Sequence, residues 1–63
     1  MKNRIKNIVR KYLKKKHNVH YIRWGTISRL KSDKYEVNGI AYSSKNIFHF
    51  ELLVDEKGNV RKA

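Results

Sequence analysis

The sequence predicts an α+β fold in which an N-terminal amphipathic helix packs on one face of a four-stranded antiparallel β-meander. Three observations predict it. Apolar residues recur with helical spacing through residues 3–16, the period changes to two from Val19 onward, and turn-forming residues then divide the chain into short segments.

Within residues 3–16, Ile5, Ile8, Val9, Tyr12 and Leu13 fall at i, i+3, i+4, i+7 and i+8, the spacing that lines one stripe of an α-helix. Lys6, Arg10 and Lys14 recur every four residues on another face, with Asn3, Asn7, Lys11 and Lys15 beside them. Like-charged pairs four residues apart cost about 0.2–0.5 kcal/mol each, so this helix depends on docking its apolar stripe. Lys14, Lys15, Lys16 and His17 recover part of that cost by facing the negative end of the helix dipole. Asn18 is the expected stop.

Val19–Lys31 reads as a long strand interrupted at Gly25, where a bulge or bend is expected. Ser32-Asp33 supplies a turn. Residues 34–44 admit two readings. Asn38-Gly39 is a two-residue hairpin signal that would make a five-stranded sheet. One continuous strand closing at Ser43-Ser44-Lys45-Asn46 is preferred, because it matches its neighbours in length and gives a simple meander. In residues 47–54, Phe48, Phe50, Leu52 and Val54 share one face while His49 and Glu51 lie on the other. That ladder is the expected partner of the helix stripe. Residues 56–59 form a second turn signal, after which residues 60–62 pair back as a short edge strand. The element order is similar in outline to cystatin-like domains, and the five-stranded variant would be similar in outline to Sm-like RNA-binding proteins. Both resemblances rest on element order without a matching motif and carry over no residue or activity.

With 63 residues, the chain is expected to form one domain. A domain of this size buries about 60% of the surface its unfolded chain exposes and has a stability of only a few kcal/mol. There is no cysteine to add a disulfide or a thiolate metal site, which suggests a reducing compartment and a cytoplasmic location. Apolar runs such as Ile8-Val9 and Leu52-Leu53-Val54 fall far short of the roughly 20 residues that cross a bilayer. The basic N-terminus is not followed by the apolar run of about 7–15 residues that a signal peptide carries.

The 16 Lys+Arg against 5 Asp+Glu give a net charge of +11, and most of the excess is local. Residues 1–16 hold eight basic residues and no acid, so +8 lies there and +3 in the remainder. Charge at this density attracts phosphates and other anions, while its self-repulsion works against compactness.

Catalytic and metal chemistry find little foothold. His17 and His20 lie three apart with no further ligand to complete a metal site. His49 and Glu51 share a strand face and could act as base and orienting carboxylate, but with no nucleophile in view they read as a solvent-facing pair. Ser28, Ser32, Ser43 and Ser44 have no Gly-x-Ser-x-Gly context, and 3 glycines are too few for a phosphate-cradling loop. No catalytic residue, metal or cofactor is predicted. Trp24, Tyr21, Tyr35 and Tyr42, interleaved with basic residues, are of the kind that stacks nucleobases, at about 1–3 kcal/mol per base. The favoured reading is that half of these rings are core and the others close a strand edge or a dimer contact.

The functional expectation is a small, non-enzymatic basic protein that contacts the phosphates of DNA or RNA through Lys6, Arg10, Lys11, Lys14 and Lys15, with Arg23 and Arg29 in addition. The alternative is a protein–protein interaction module, a regulator or inhibitor, that uses its open sheet face or edge against an acidic protein. Attachment to an anionic membrane is a third reading, opposed by an apolar stripe that is needed to cover the sheet. Ile47 and Leu53 on the outer strand face, together with open sheet edges, make a homodimer a further expectation.

Overall fold

Docking of the apolar stripe places helix α1 (Lys2–His17) against the sheet in the computed structural model, which describes residues 2–63. Ile5, Val9 and Leu13 are buried, and Ile8 and Tyr12 are half-buried on the flank of that stripe. The helix stops at Asn18, whose φ of 55° lies in the left-handed region that asparagine tolerates better than most residues. Its N–H donates to the Lys14 carbonyl at 3.0 Å, satisfying one of the carbonyls left open at a helix end. No helix among the described residues is long and apolar enough to cross a membrane.

Four strands follow: β1 (Val19–Lys31), β2 (Lys34–Ser43), β3 (Ile47–Asp55) and β4 (Val60–Lys62). They form one antiparallel sheet in the order β1-β2-β3-β4. Alternation divides each strand between two faces. Ile22, Ala41 and Phe48 share one inner row, Trp24, Gly39 and Phe50 the next, and Ile27, Val37 and Leu52 a third. Tyr35 pairs with Val54 beyond them. The helix covers this inner face, so the core is Ile5, Val9 and Leu13 against Val19, Tyr35, Val37, Ala41, Phe50, Leu52 and Val54.

Asn38-Gly39 lies in the middle of β2, so the hairpin alternative, the five-stranded sheet and the Sm-like outline that depended on it do not apply. The structure gives each of the two residues another purpose. A Cβ on Gly39 would stand 2.6 Å from the Arg23 carbonyl oxygen and 3.1 Å from the Phe50 ring, so the missing side chain makes room for that ring. The Asn38 side-chain oxygen accepts the Thr26 N–H at 3.0 Å, opposite a bulge in β1. A Cβ on Gly25 would collide with that same oxygen, which accounts for the expected interruption at Gly25.

Strand β1 gains one residue on β2 at each of three irregularities, between Val19 and Tyr21, Trp24 and Ile27, and Arg29 and Lys31. Its 13 residues therefore pair along only 10 of β2. Bulges of this kind increase twist and bend the strand that carries them.

One end of the molecule is tied together through Glu56. Its carbonyl accepts Arg4 Nε at 3.1 Å and Arg4 Nη2 at 2.9 Å, and its carboxylate accepts the Tyr35 hydroxyl at 3.2 Å. The Glu56 N–H donates to the Asp33 carbonyl at 3.1 Å. The helix start, the β1–β2 turn and the β3–β4 turn thus meet there. At the other end Ser43 organises the β2–β3 turn, its hydroxyl oxygen accepting the Asn46 N–H at 3.1 Å.

Replacing Phe50 with alanine is expected to cost about 3–5 kcal/mol, because no Cβ at Gly39 can fill the space the ring leaves. Replacing His49, on the exposed face of the same strand, is expected to change stability by no more than about 0.5 kcal/mol. Urea unfolding of the two variants checks the assignment of faces, and equal losses would contradict it.

Candidate nucleic-acid interface

The helix presents two basic flanks, because its apolar stripe faces down and its lysines and arginines occupy the rest of its circumference. On the flank toward β1, the Lys6 Nζ lies 5.4 Å and the Arg10 guanidinium 5.5 Å from the Trp24 ring centroid. Trp24 is itself half-buried, with its ring edge-on to Phe50 at 6.4 Å and 85°. The core thus anchors the indole from one side, and its π face holds two cations on the other. Arg10 Nη1 also donates to Asn7 Oδ1 at 2.7 Å. Arg10, Lys14, His20, Tyr21, Ile22 and Trp24 line a groove of about 500 Å³ between the helix and β1.

Lys11 and Lys15 lie on the opposite flank, lining a hollow with Ile8, Tyr12 and the Gly58–Val60 stretch. The five helix residues expected to act together are therefore divided, with Lys6, Arg10 and Lys14 on one side and Lys11 and Lys15 on the other. The two additional arginines lie apart from both groups. Arg23 is in register with Ile40 on the outer face of the sheet, away from the helix. Arg29 donates from Nε to the Lys31 carbonyl at 3.2 Å and from Nη2 to the Ser32 carbonyl at 3.1 Å, and so serves the β1–β2 turn.

A feature not visible in the linear charge count is the gathering of acids where the turns join, in the company of Arg4, Arg29, Lys31, Lys34 and Lys57, and their absence from the other end. Asp33, Asp55 and Glu56 belong to the joined turns at one end, Glu36 pairs one row in from them, and Glu51 lies mid-strand. At the other end Lys15, Lys16, His17 and Lys45 surround a hollow of about 540 Å³ together with the Ser43–Asn46 turn. All five acids lie outside that basic end. Lys16 is held 5.6 Å over the Tyr12 ring, and His17 packs edge-on to Phe48 at 5.2 Å. No group of three or more His, Cys, Asp or Glu converges among the described residues.

The aromatic residues divide in a way the sequence left open. Tyr35 is buried and uses its hydroxyl on Glu56. Trp24 supports the basic flank. Tyr21 and Tyr42 are opposite each other on the outer face, with ring centroids 5.3 Å apart. The alternation of Ile22 and Trp24 with Arg23 was a signal for Trp24 facing the helix, but which helix flank it would meet depends on how the helix crosses the sheet.

Where the turns join, Asp55 Oδ1 accepts the N–H groups of Lys57 at 2.9 Å and Asn59 at 3.0 Å, while Oδ2 accepts Asn59 Nδ2 at 3.0 Å. The Asn59 side chain first, then the Asn59 and Lys57 backbone, favour the charged carboxylate and hold its pKa below the ordinary value.

Compared with protein-family models, curated proteins and solved structures, the chain matches none.

Two measurements check the site. In an NMR titration, the Asp55 carboxyl is expected to titrate below an ordinary aspartate. A depressed folded-state pKa contributes stability that is present above the unfolded value and lost as pH falls through the folded one, so the β3–β4 turn should loosen only in acid, and Asp55→Asn should remove that dependence. A double-mutant cycle of Arg10→Met with Trp24→Leu is expected to give a coupling of about 0.5–1 kcal/mol. A coupling of zero would show that the guanidinium does not rest on the indole.

Proposed function

We propose that this protein binds nucleic acid without catalysis, through phosphate contacts made by the β1-side flank of the helix and the basic end of the sheet. The observation that carries the reading is the gathering of Lys15, Lys16 and Lys45 at one end, with Lys14 and Arg10 along the β1-side groove and Lys6 beside Arg10 on Trp24, and with no Asp or Glu lining either hollow. Potentials of one sign over such a surface draw in polyanions and release their counterions on contact. Lys6, Arg10 and Lys14 stand about 6 Å apart along the helix axis, at four residues per step, and so offer a row of charges to a phosphate backbone. Trp24 restrains the first two, which lowers the ordering cost of binding. The cysteine-free composition is compatible with action in the cytoplasm.

Two observations weigh against the other readings. The three bulges of β1 interrupt the regular ladder that a peptide strand would need at that edge. Ile5, Val9 and Leu13 are buried under the helix, so its apolar stripe is not free to enter a membrane interface.

Contacts to about five phosphates of duplex DNA should give a slope of log K against log salt of about −4 to −5, at roughly −0.9 per phosphate. Changing Lys6, Arg10 and Lys14 together to glutamine is expected to flatten the slope by about three such units, with little change in sequence preference. Arg29→Gln should leave the slope unchanged, since that side chain holds a turn. Fluorescence anisotropy across a salt series reads all three, and absence of binding to any nucleic acid at low salt would refute the proposal.

A further inference from the structure

The helix covers one face of the sheet and leaves the other open. On that outer face Tyr21, Tyr42 and Ile47 form one cross-strand row, and Arg23, Ile40 and His49 form the next. Tyr21 is 60% exposed and Ile47 64%, unusual for large apolar side chains in so small a molecule. The two tyrosine rings are tilted by 58° with centroids 5.3 Å apart, so they form a joined aromatic surface. Neither row contains an acid. The carboxylates of this face begin farther along, with Glu51 opposite Asn38 and then Glu36 opposite Leu53. Lys45 lies in the turn that joins the first row's β2 and β3 residues, and Lys15 and Lys16 border the same turn.

We infer that this outer face is a stacking platform for the bases of a single-stranded nucleic acid, with Tyr21 and Tyr42 receiving the bases and Arg23 and Lys45 positioned for the phosphates. Charge complementarity selects this occupant. A second copy of the chain, itself of net charge +11, would bring like charge to this face, whereas a polyanion neutralises it. An acidic peptide would satisfy the charge but not the aromatic surface of the exposed Tyr21 and the half-buried Tyr42, for which a nucleobase is the matching planar group. A duplex cannot offer its bases to these rings, because they are stacked on one another. The inference rests on the nucleic-acid reading above and adds to it the class of nucleic acid and a second surface, on the outer face of the sheet, which meets the helix-side groove at Tyr21.

The test uses the full chain and three labelled probes of equal length: an oligothymidine, an abasic deoxyribose-phosphate strand and a DNA duplex. The oligothymidine is expected to bind more tightly than the abasic strand. Tyr21→Ala and Tyr42→Ala should each weaken oligothymidine binding by about tenfold while leaving the abasic strand unaffected. Tyr21→Phe and Tyr42→Phe should retain binding, since the ring is kept, and they serve in place of the alanine variants for fold integrity, checked by thermal unfolding. Equal affinity for the oligothymidine and abasic strands, or equal losses on both in the alanine variants, would overturn the stacking platform while leaving phosphate binding by the helix intact. Failure of all three probes to bind would overturn both. Sedimentation showing a dimer that Tyr21→Ala disperses would assign the face to a second copy of the chain and overturn the inference.

Discussion

Everything else in the structure depends on the burial of Ile5, Val9 and Leu13 against the sheet. A helix carrying so many like charges at intervals of four is unfavourable by itself, and short helices of this length are marginal in water even with better sequences. Burial of the three side chains, together with the half-buried Ile8 and Tyr12, supplies the stabilisation that repulsion removes. The Arg4 contact to Glu56 then fixes where along the sheet the helix begins. Once that position is set, the two basic flanks, the groove beside β1 and the bare outer face follow from it.

The sheet is shaped to receive the helix by a small set of local exceptions. Gly39 leaves out a side chain in the central inner row, and the Phe50 ring and the Trp24 indole meet around that space. Opposite it, Gly25 and the Asn38 amide form a bulge in which a side chain satisfies the Thr26 N–H that the regular ladder leaves open. The added twist of β1 brings Trp24 under the helix flank, where a hydrophobic core residue becomes the support for Lys6 and Arg10. Packing and the candidate site are therefore connected through one indole, touched by Phe50 on one side and by cations on the other.

The two faces of the sheet have separate functional readings with a common electrostatic basis. Acids gather where the helix start and two turns are joined, and their charges are used locally: the Glu56 carboxylate accepts the Tyr35 hydroxyl, and that of Asp55 closes its turn with Asn59. The opposite end keeps its lysines apart from those carboxylates. A basic surface free of carboxylates draws in a polyanion before contact, and Tyr21 borders both the β1-side groove and the outer face.

Much of the fold was legible in the sequence, because it rests on periodicity and turn chemistry that act locally. The 3.6-residue stripe placed the helix, the period of two placed Phe48, Phe50, Leu52 and Val54 on one face, and Asn18, Ser32-Asp33 and the 56–59 segment marked the ends of elements. The candidate basic residues were legible as a group for the same reason, since charge can be counted along the chain. What the sequence did not determine are relations between distant residues. Asn38-Gly39 carries a hairpin signal, and only its pairing with Trp24 on one side and with Glu51 and Phe50 on the other keeps it mid-strand. Helix spacing puts Lys6, Arg10 and Lys14 on one side of the apolar stripe and Lys11 and Lys15 on the other, but docking decided which side meets β1, and Arg29 was committed to a turn by a hydrogen bond to Ser32. Helix spacing and strand alternation are properties of neighbouring residues, whereas which flank meets which strand, and which end collects the acids, are decided only when the apolar stripe docks.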